Sequence, residues 1–170
     1  MTGQIPWFAV HVRSNFERKA SGLVQRRCGC EVYYPTFTVR SSRRGEVHEI
    51  EKPLFPGYFF VNKDLIRESK NDVLATTGVV SIVGVGGRLL EVEPGVMRSL
   101  QILGARQDHV RPHPYLREGM RVRVRHGPLT GARGIIVRSR GRKPKLVVSI
   151  DILGRSVSVA VDARDVEPDH

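Results

Sequence analysis

The stretch Gly104 to Glu118, GARQDHVRPHPYLRE, limits most strongly what this chain can fold into. Two prolines, two histidines and a scatter of charges leave it few aliphatic side chains to place in a core. The prolines also oppose both a helix and a central strand. A chain of 170 residues interrupted there must build one core before the break and another after it. The expectation is a first domain at residues 1–105, a flexible linker at 106–117 and a second domain at 118–170.

The second domain reads as all-β. Met120 to Arg125 alternates, with Val122 and Val124 inward and Arg121, Arg123 and Arg125 outward. Ile135 to Val137, Leu146 to Ile152 and Val157 to Val161 are further strand-like runs, separated by the turn segments HGPLTG, GRKPK and LGRS. Four or five short strands in so few residues predict a small closed barrel.

The first domain mixes both periods. Trp7 to Val12 reads as a strand, and a helix follows, with Ser14 and Glu17 at capping-box spacing. Phe16, Ala20, Leu23 and Val24 would share its inner face, Lys19 and Arg26 would line a flank, and Gly29 would end it. Glu31 to Val39 and Val47 to Lys52 are extended. Next, Tyr58 to Val61 forms an apolar strand straight after the turn Leu54-Phe55-Pro56-Gly57. A short helix is expected over Leu65 to Thr77, a strand over Val79 to Val85 and a last helix from Pro94 with Val96, Leu100 and Leu103 on one face. The fold class is therefore α+β: a mostly antiparallel sheet flanked by helices, a flexible linker, then the barrel. In the Tyr58 strand, Tyr58 and Phe60 share one face and Phe59 and Val61 the other. One face can fill the core while the other meets a partner.

The charge is +11, with 15 basic against 10 acidic residues up to Gln107 and 13 against 7 after it. Both parts attract polyanions, and inside a cell these are mostly nucleic acids. No apolar run reaches 18 residues, so no membrane span is expected. The N-terminus lacks the pattern of a secretory signal, and Cys28 and Cys30 read as free thiols, which together predict a reducing cytoplasm.

Three features act together. They are Trp7 at the first strand, Leu54-Phe55-Pro56-Gly57-Tyr58, and Gly119-x2-Val122-x-Val124-x2-Gly127-Pro128-x2-Gly131-x2-Gly134-x2-Val137. In this order, with the linker between them, they resemble the NusG family of bacterial transcription elongation factors, whose second domain is an SH3-like KOW barrel. His113-Pro114-Tyr115-Leu116 and Leu153-Gly154-Arg155-Ser156-Val157 look most like the specialised UpxY-like and RfaH-like antiterminators.

The resemblance implies a non-enzymatic, monomeric factor that binds RNA polymerase and suppresses pausing and termination. By that resemblance Trp7, Phe55, Tyr58, Phe60 and Val85 would meet the β′ clamp helices, and Ser69, Lys70 and Asn71 the gate loop. Arg13, Lys19, Arg26 and Arg27 would meet the non-template DNA of the elongation complex, and Leu129, Ile135 and Ile136 the ribosomal protein NusE. The turn from Gly127 to Gly134 has no aromatic residue, which speaks against a Rho contact. The alternatives are a housekeeping NusG supporting Rho-dependent termination and a KOW protein that binds RNA or the ribosome.

Nothing in the sequence asks for catalysis. Gly84-Val85-Gly86-Gly87 is not a dinucleotide fingerprint, and Gly127 to Gly134 lacks the end of a phosphate-binding loop. His11, His48, His109, His113, His126 and His170 are scattered without metal-ligand spacing. No cofactor and no metal are expected.

Overall fold

The computed structural model describes residues 3–106, 109–116, 118–139 and 142–169. The chain divides into two compact units: residues 1–35 with 55–94, and residues 36–54 with 95–170. The predicted break at 106–117 is therefore not where the contacts divide.

The first unit is built on β1 (Trp7–Val12), followed by α1 (Glu17–Cys28) and β2 (Glu31–Tyr33). The second unit's antiparallel ribbon, β3 (Thr36–Arg43) with β4 (Glu46–Pro53), comes next in the chain. Then β5 (Tyr58–Asn62), α2 (Lys70–Leu74), β6 (Val79–Ile82), the short pair β7 (Gly84–Val85) and β8 (Arg88–Leu89), and β9 (Glu91–Val92) complete the first unit. Its sheet runs β2-β5-β1-β6, every pairing antiparallel, with β9 also on β1.

Alternation sorts its side chains into two layers. Phe8, Val10 and Val12 of β1 and Phe59 and Val61 of β5 pack with Ala20, Val24 and Cys28 of α1, Leu65, Val73 of α2 and Ile82. Residues one step out of phase, Trp7, Ala9 and His11 with Tyr58 and Phe60, take the opposite face.

The expected capping box does not form. Helix α1 starts at Glu17, with Phe16 as an N-cap that makes no side-chain bond. Asn15 turns the chain away with φ 65°, and the Glu17 carboxylate serves a distant backbone group instead. At the other end Gly29 adopts φ 56° and donates its N–H to Gln25, as the sequence implies. The helix expected over Leu65 to Thr77 shrinks to α2. The Asp64 carboxylate accepts the N–H groups of Ile66 and Arg67 at 3.2 Å each, and Ser69 sits at φ 61°, so the chain is held in turns until Lys70.

In the second unit, α3 (Pro94–Gly104) precedes β10 (Arg111–His113), β11 (Arg121–Val124), β12 (Arg133–Ser139), β13 (Arg142–Ile150), β14 (Arg155–Ala160) and β15 (Val166–Pro168). These six strands form one sheet in the order β10-β14-β13-β12-β11-β15. Helix α3 buries Met97, Ser99, Leu100 and Leu103, leaving the expected Val96 only half-buried. Ser99 Oγ accepts the Arg133 backbone N–H at 3.0 Å.

Part of the expected linker is extended and hydrogen-bonded. Arg111–His113 pairs with β14, covering an edge that would otherwise be open, and Pro112 lies where its missing N–H is tolerated. Leu116 donates its N–H to Ser156 Oγ at 3.1 Å and its carbonyl accepts from Ser149 Oγ. Residues 107, 108 and 117 of the expected linker, and His170, lie outside the described residues.

Candidate functional site

The site grows from the turn that leads into β5. Gly57 adopts φ 84°, a conformation open to glycine, and its carbonyl accepts the Val12 N–H at 2.8 Å. Its own N–H donates to Glu17 Oε1 at 2.9 Å across 40 positions of sequence. Glu17 is only 6 % exposed, so this bond fixes the start of β5 against the start of α1. Tyr58 then lies opposite His11 in the β1–β5 register, and the two rings stack at 5.1 Å with 29° between their planes.

Behind this pair four further aromatic rings follow one another, with Ala9 opposite Phe60. Phe55 meets Phe60 edge-on at 5.5 Å, Tyr33 lies 6.2 Å from Phe60, and Trp7 contacts Tyr33 edge-on at 6.4 Å. Offset and edge-on pairs of this kind add to simple area burial. Burial pushes the Tyr33 phenol far above the usual tyrosine range.

The expected anchors therefore separate. Trp7, Phe55 and Phe60 are 7 %, 1 % and 0 % exposed and pack within the unit. Tyr58 is half-buried, and Val85, at the end of β7, is 70 % exposed. His11 and Glu17 belong to the site, and the sequence does not single them out. The signal for His11 is its place on the Trp7 face of β1, but its partner depends on strand register.

The basic candidates follow α1. Arg13, Lys19, Arg26 and Arg27 are all exposed, with Lys19 also 5.9 Å above the Phe16 ring. A 12-residue helix is about 18 Å long, so the strip spans from the Gly57 turn to the far end of α1. At that end Arg27 pairs with Asp72 at 3.5 Å. The pair ties the end of α1 to α2, in front of which Ser69 is half-buried and Lys70 and Asn71 are exposed.

In the barrel, Leu129 and Ile135 are 7 % and 8 % exposed and belong to the core; only Ile136 of that trio is half-buried. Both join the apolar interior formed by Val122, Val124, Leu146, Val147 and Val157. Among the described residues no group of three or more His, Cys, Asp or Glu side chains converges as a metal site. Burial raises both the Cys28 and Cys30 thiols, which keeps them protonated and poorly nucleophilic. Among the described residues no helix is long and apolar enough to cross a membrane.

Residues 5–101 match the family model described as "Transcription termination factor nusG", more than half of the chain. The chain belongs to the NusG family. It is 30 % identical over 175 residues to the transcription termination/antitermination protein NusG of Thermus thermophilus, covering 93 % of this chain and 95 % of that one. It is also 28 % identical over 174 residues to the Escherichia coli K12 protein of the same description, covering 95 % of this chain and 94 % of that one. The solved structure of Thermotoga maritima NusG shares the fold, with 23 % identity, 97 % of both chains covered and a TM-score of 0.54. NusG-family members are transcription factors rather than enzymes, and so is this chain.

Proposed function

We propose that this NusG-type factor binds elongating RNA polymerase in the cytoplasm and suppresses pausing and termination, as a specialised antiterminator. The observation that carries the reading is Tyr58, half-buried and stacked on His11 beside the buried rings of Trp7, Phe55 and Phe60. A rigid aromatic with a polar tip, already held by its neighbours, loses little entropy on docking and suits an interface anchor. Tyr58 and the exposed Val85 would meet the β′ clamp helices, while Ser69, Lys70 and Asn71 would meet the gate loop. Arg13, Lys19, Arg26 and Arg27 would follow the non-template DNA, giving a salt-sensitive contribution. Residues 1–105 carry this role and 118–170 act as a tethered second module. Binding that favours a closed clamp by about 1–3 kcal/mol would reduce pause entry from several-fold to a hundredfold.

The absence of any aromatic residue after Tyr115 supports the antiterminator reading over a Rho contact. A NusE contact keeps only Ile136 of its three expected residues at the surface. A second reading, a housekeeping NusG that supports termination, is favoured by the end-to-end match to relatives described by both activities.

The test is binding of the full chain to reconstituted elongation complexes, followed by pause and Rho-termination assays. Tyr58→Ala should weaken binding about 30-fold, the size of a central aromatic anchor of ~2 kcal/mol. Lys19→Gln with Arg26→Gln should flatten the salt dependence. Unchanged affinity in a folded Tyr58→Ala variant would remove the proposed anchor, and enhanced Rho termination would select the second reading.

A further inference from the structure

The His11 imidazole stands on the Tyr58 face without a polar partner. It is half-buried, and among the described residues no hydrogen bond and no ion pair involves its ring. No buried side-chain nitrogen or oxygen among those residues lacks a partner, so both ring nitrogens of His11 reach water.

Backbone geometry puts the ring there. Tyr58 lies opposite it across β1–β5, and the two rings stack at 5.1 Å. On the other side of β1 the register with β6 shifts between His11 and Val12, a bulge of the kind that re-aims a side chain. Gly57, whose carbonyl holds the Val12 N–H, borders the ring. A Cβ there would stand 3.7 and 3.8 Å from His11 Cδ2 and Nε2.

Charges around the ring offer a proton little support. From β5 it faces the Tyr58 phenol, and from β6 its opposite residue is uncharged Ser81. From α1, Glu17 approaches through Gly57, but its carboxylate already accepts the Gly57 N–H at 2.9 Å. Arg13, two positions along the chain, is an exposed cation. Strand β9 meets β1 only at Trp7 and Phe8.

Histidine is the side chain whose charge ordinarily changes between about pH 5 and 8. Neutral, the ring stacks on Tyr58 as one aromatic on another. Protonated, it gains a cation–π attraction to the phenol, yet its charge is stabilised mainly by water. A partner seated on Tyr58 removes that water. Stripping it from an imidazolium that has no carboxylate to receive it outweighs the attraction of a single ring.

We propose that His11 is a positioning residue for Tyr58 and makes docking proton-sensitive: the neutral ring admits the partner and the protonated ring opposes it. This rests on the reading above, in which Tyr58 anchors the protein on polymerase.

The full chain is titrated against reconstituted elongation complexes at about pH 7.5 and about pH 5.5, values that bracket the ordinary histidine range. His11→Phe, His11→Ala and Tyr58→Ala are run beside it, and circular dichroism confirms the fold of each at both values. Polymerase groups titrate alike in every arm, so the quantity read is the ratio of affinities. His11→Phe keeps a ring on Tyr58 and takes no proton. Its affinity relative to wild type should rise about three- to tenfold from the higher pH to the lower, the change expected when docking admits only a neutral histidine. At the higher pH it should bind at least about threefold more tightly than His11→Ala, because a ring supports Tyr58 and a methyl group does not. A ratio that stays flat with pH, or moves the other way, would overturn proton control. Phenylalanine no better than alanine would overturn the positioning role. Tyr58→Ala separates the two levels. Wild-type affinity in that variant would remove the polymerase reading, whereas weakened binding there with a flat His11→Phe ratio would remove this inference alone.

Discussion

Glu17→Ala tests whether the Tyr58 turn depends on α1. The carboxylate accepts the Gly57 N–H at 2.9 Å and sits in the first turn of α1, where negative charge complements the helix dipole. A hydrogen bond to a charged group contributes about 1.5–3 kcal/mol, and the dipole a further 0.3–1 kcal/mol. Alanine removes both, and leaves the part-buried Gly57 N–H without its side-chain acceptor. Chain relaxation and entry of water reduce the net loss to about 2 kcal/mol. Glu17→Gln keeps an acceptor oxygen of nearly the same reach and loses only charge, which predicts about 1 kcal/mol or less. Urea unfolding followed by tryptophan fluorescence reads the right region, because Trp7 lies in β1 of the same sheet. The midpoint should fall for alanine with the slope unchanged. A loss below about 0.5 kcal/mol for alanine, or equal losses for the two variants, would show that the bond does not hold the turn.

Two further outcomes follow from geometry. Gly134 lies opposite Val122, and a Cβ there would collide with the Val147 carbonyl oxygen on the neighbouring strand. Gly134→Ala should cost the barrel at least about 2 kcal/mol, comparable to overpacking a core, seen as lost protection of the β12 and β13 amides in hydrogen exchange; unchanged protection would contradict it. The raised Tyr33 phenol gives an alkaline dependence: its neutral form is favoured in the fold, so its contribution is complete below the unfolded value near 10 and declines as pH rises above it. The limiting slope is about 1.4 kcal/mol per pH unit. Tyr33→Phe should abolish that component in stability measurements between about pH 10 and 12, and an unaltered slope would assign it elsewhere.

Much of the fold is legible locally. Alternation along Trp7 to Val12 and Arg121 to Val124 is a matter of strand period, and Gly29 ends a helix because its own backbone conformation permits it. The polar stretch after Gly104 does separate helix from barrel, yet its middle was open to misreading. Whether Arg111–His113 stays free depends on an unpaired β14 edge that belongs to residues about 45 positions away. Ser14 and Glu17 show the same limit. Their spacing fits a cap, but a distant glycine N–H competes for the carboxylate and wins.

By itself the sequence determined the α+β order, the positions where only glycine serves, the family membership carried by Leu54 to Tyr58 and the barrel glycines, and the basic character of both parts. Tertiary structure decided which of those residues are available. Strand register put His11 against Tyr58, buried Trp7, Phe55 and Phe60, and drew Leu129 and Ile135 into the barrel core. It also paired Arg123 and Arg125 with Glu167 and Arg133 with Asp169. Local propensity and period act over a few residues, whereas burial and charge pairing depend on which distant segments the fold brings together.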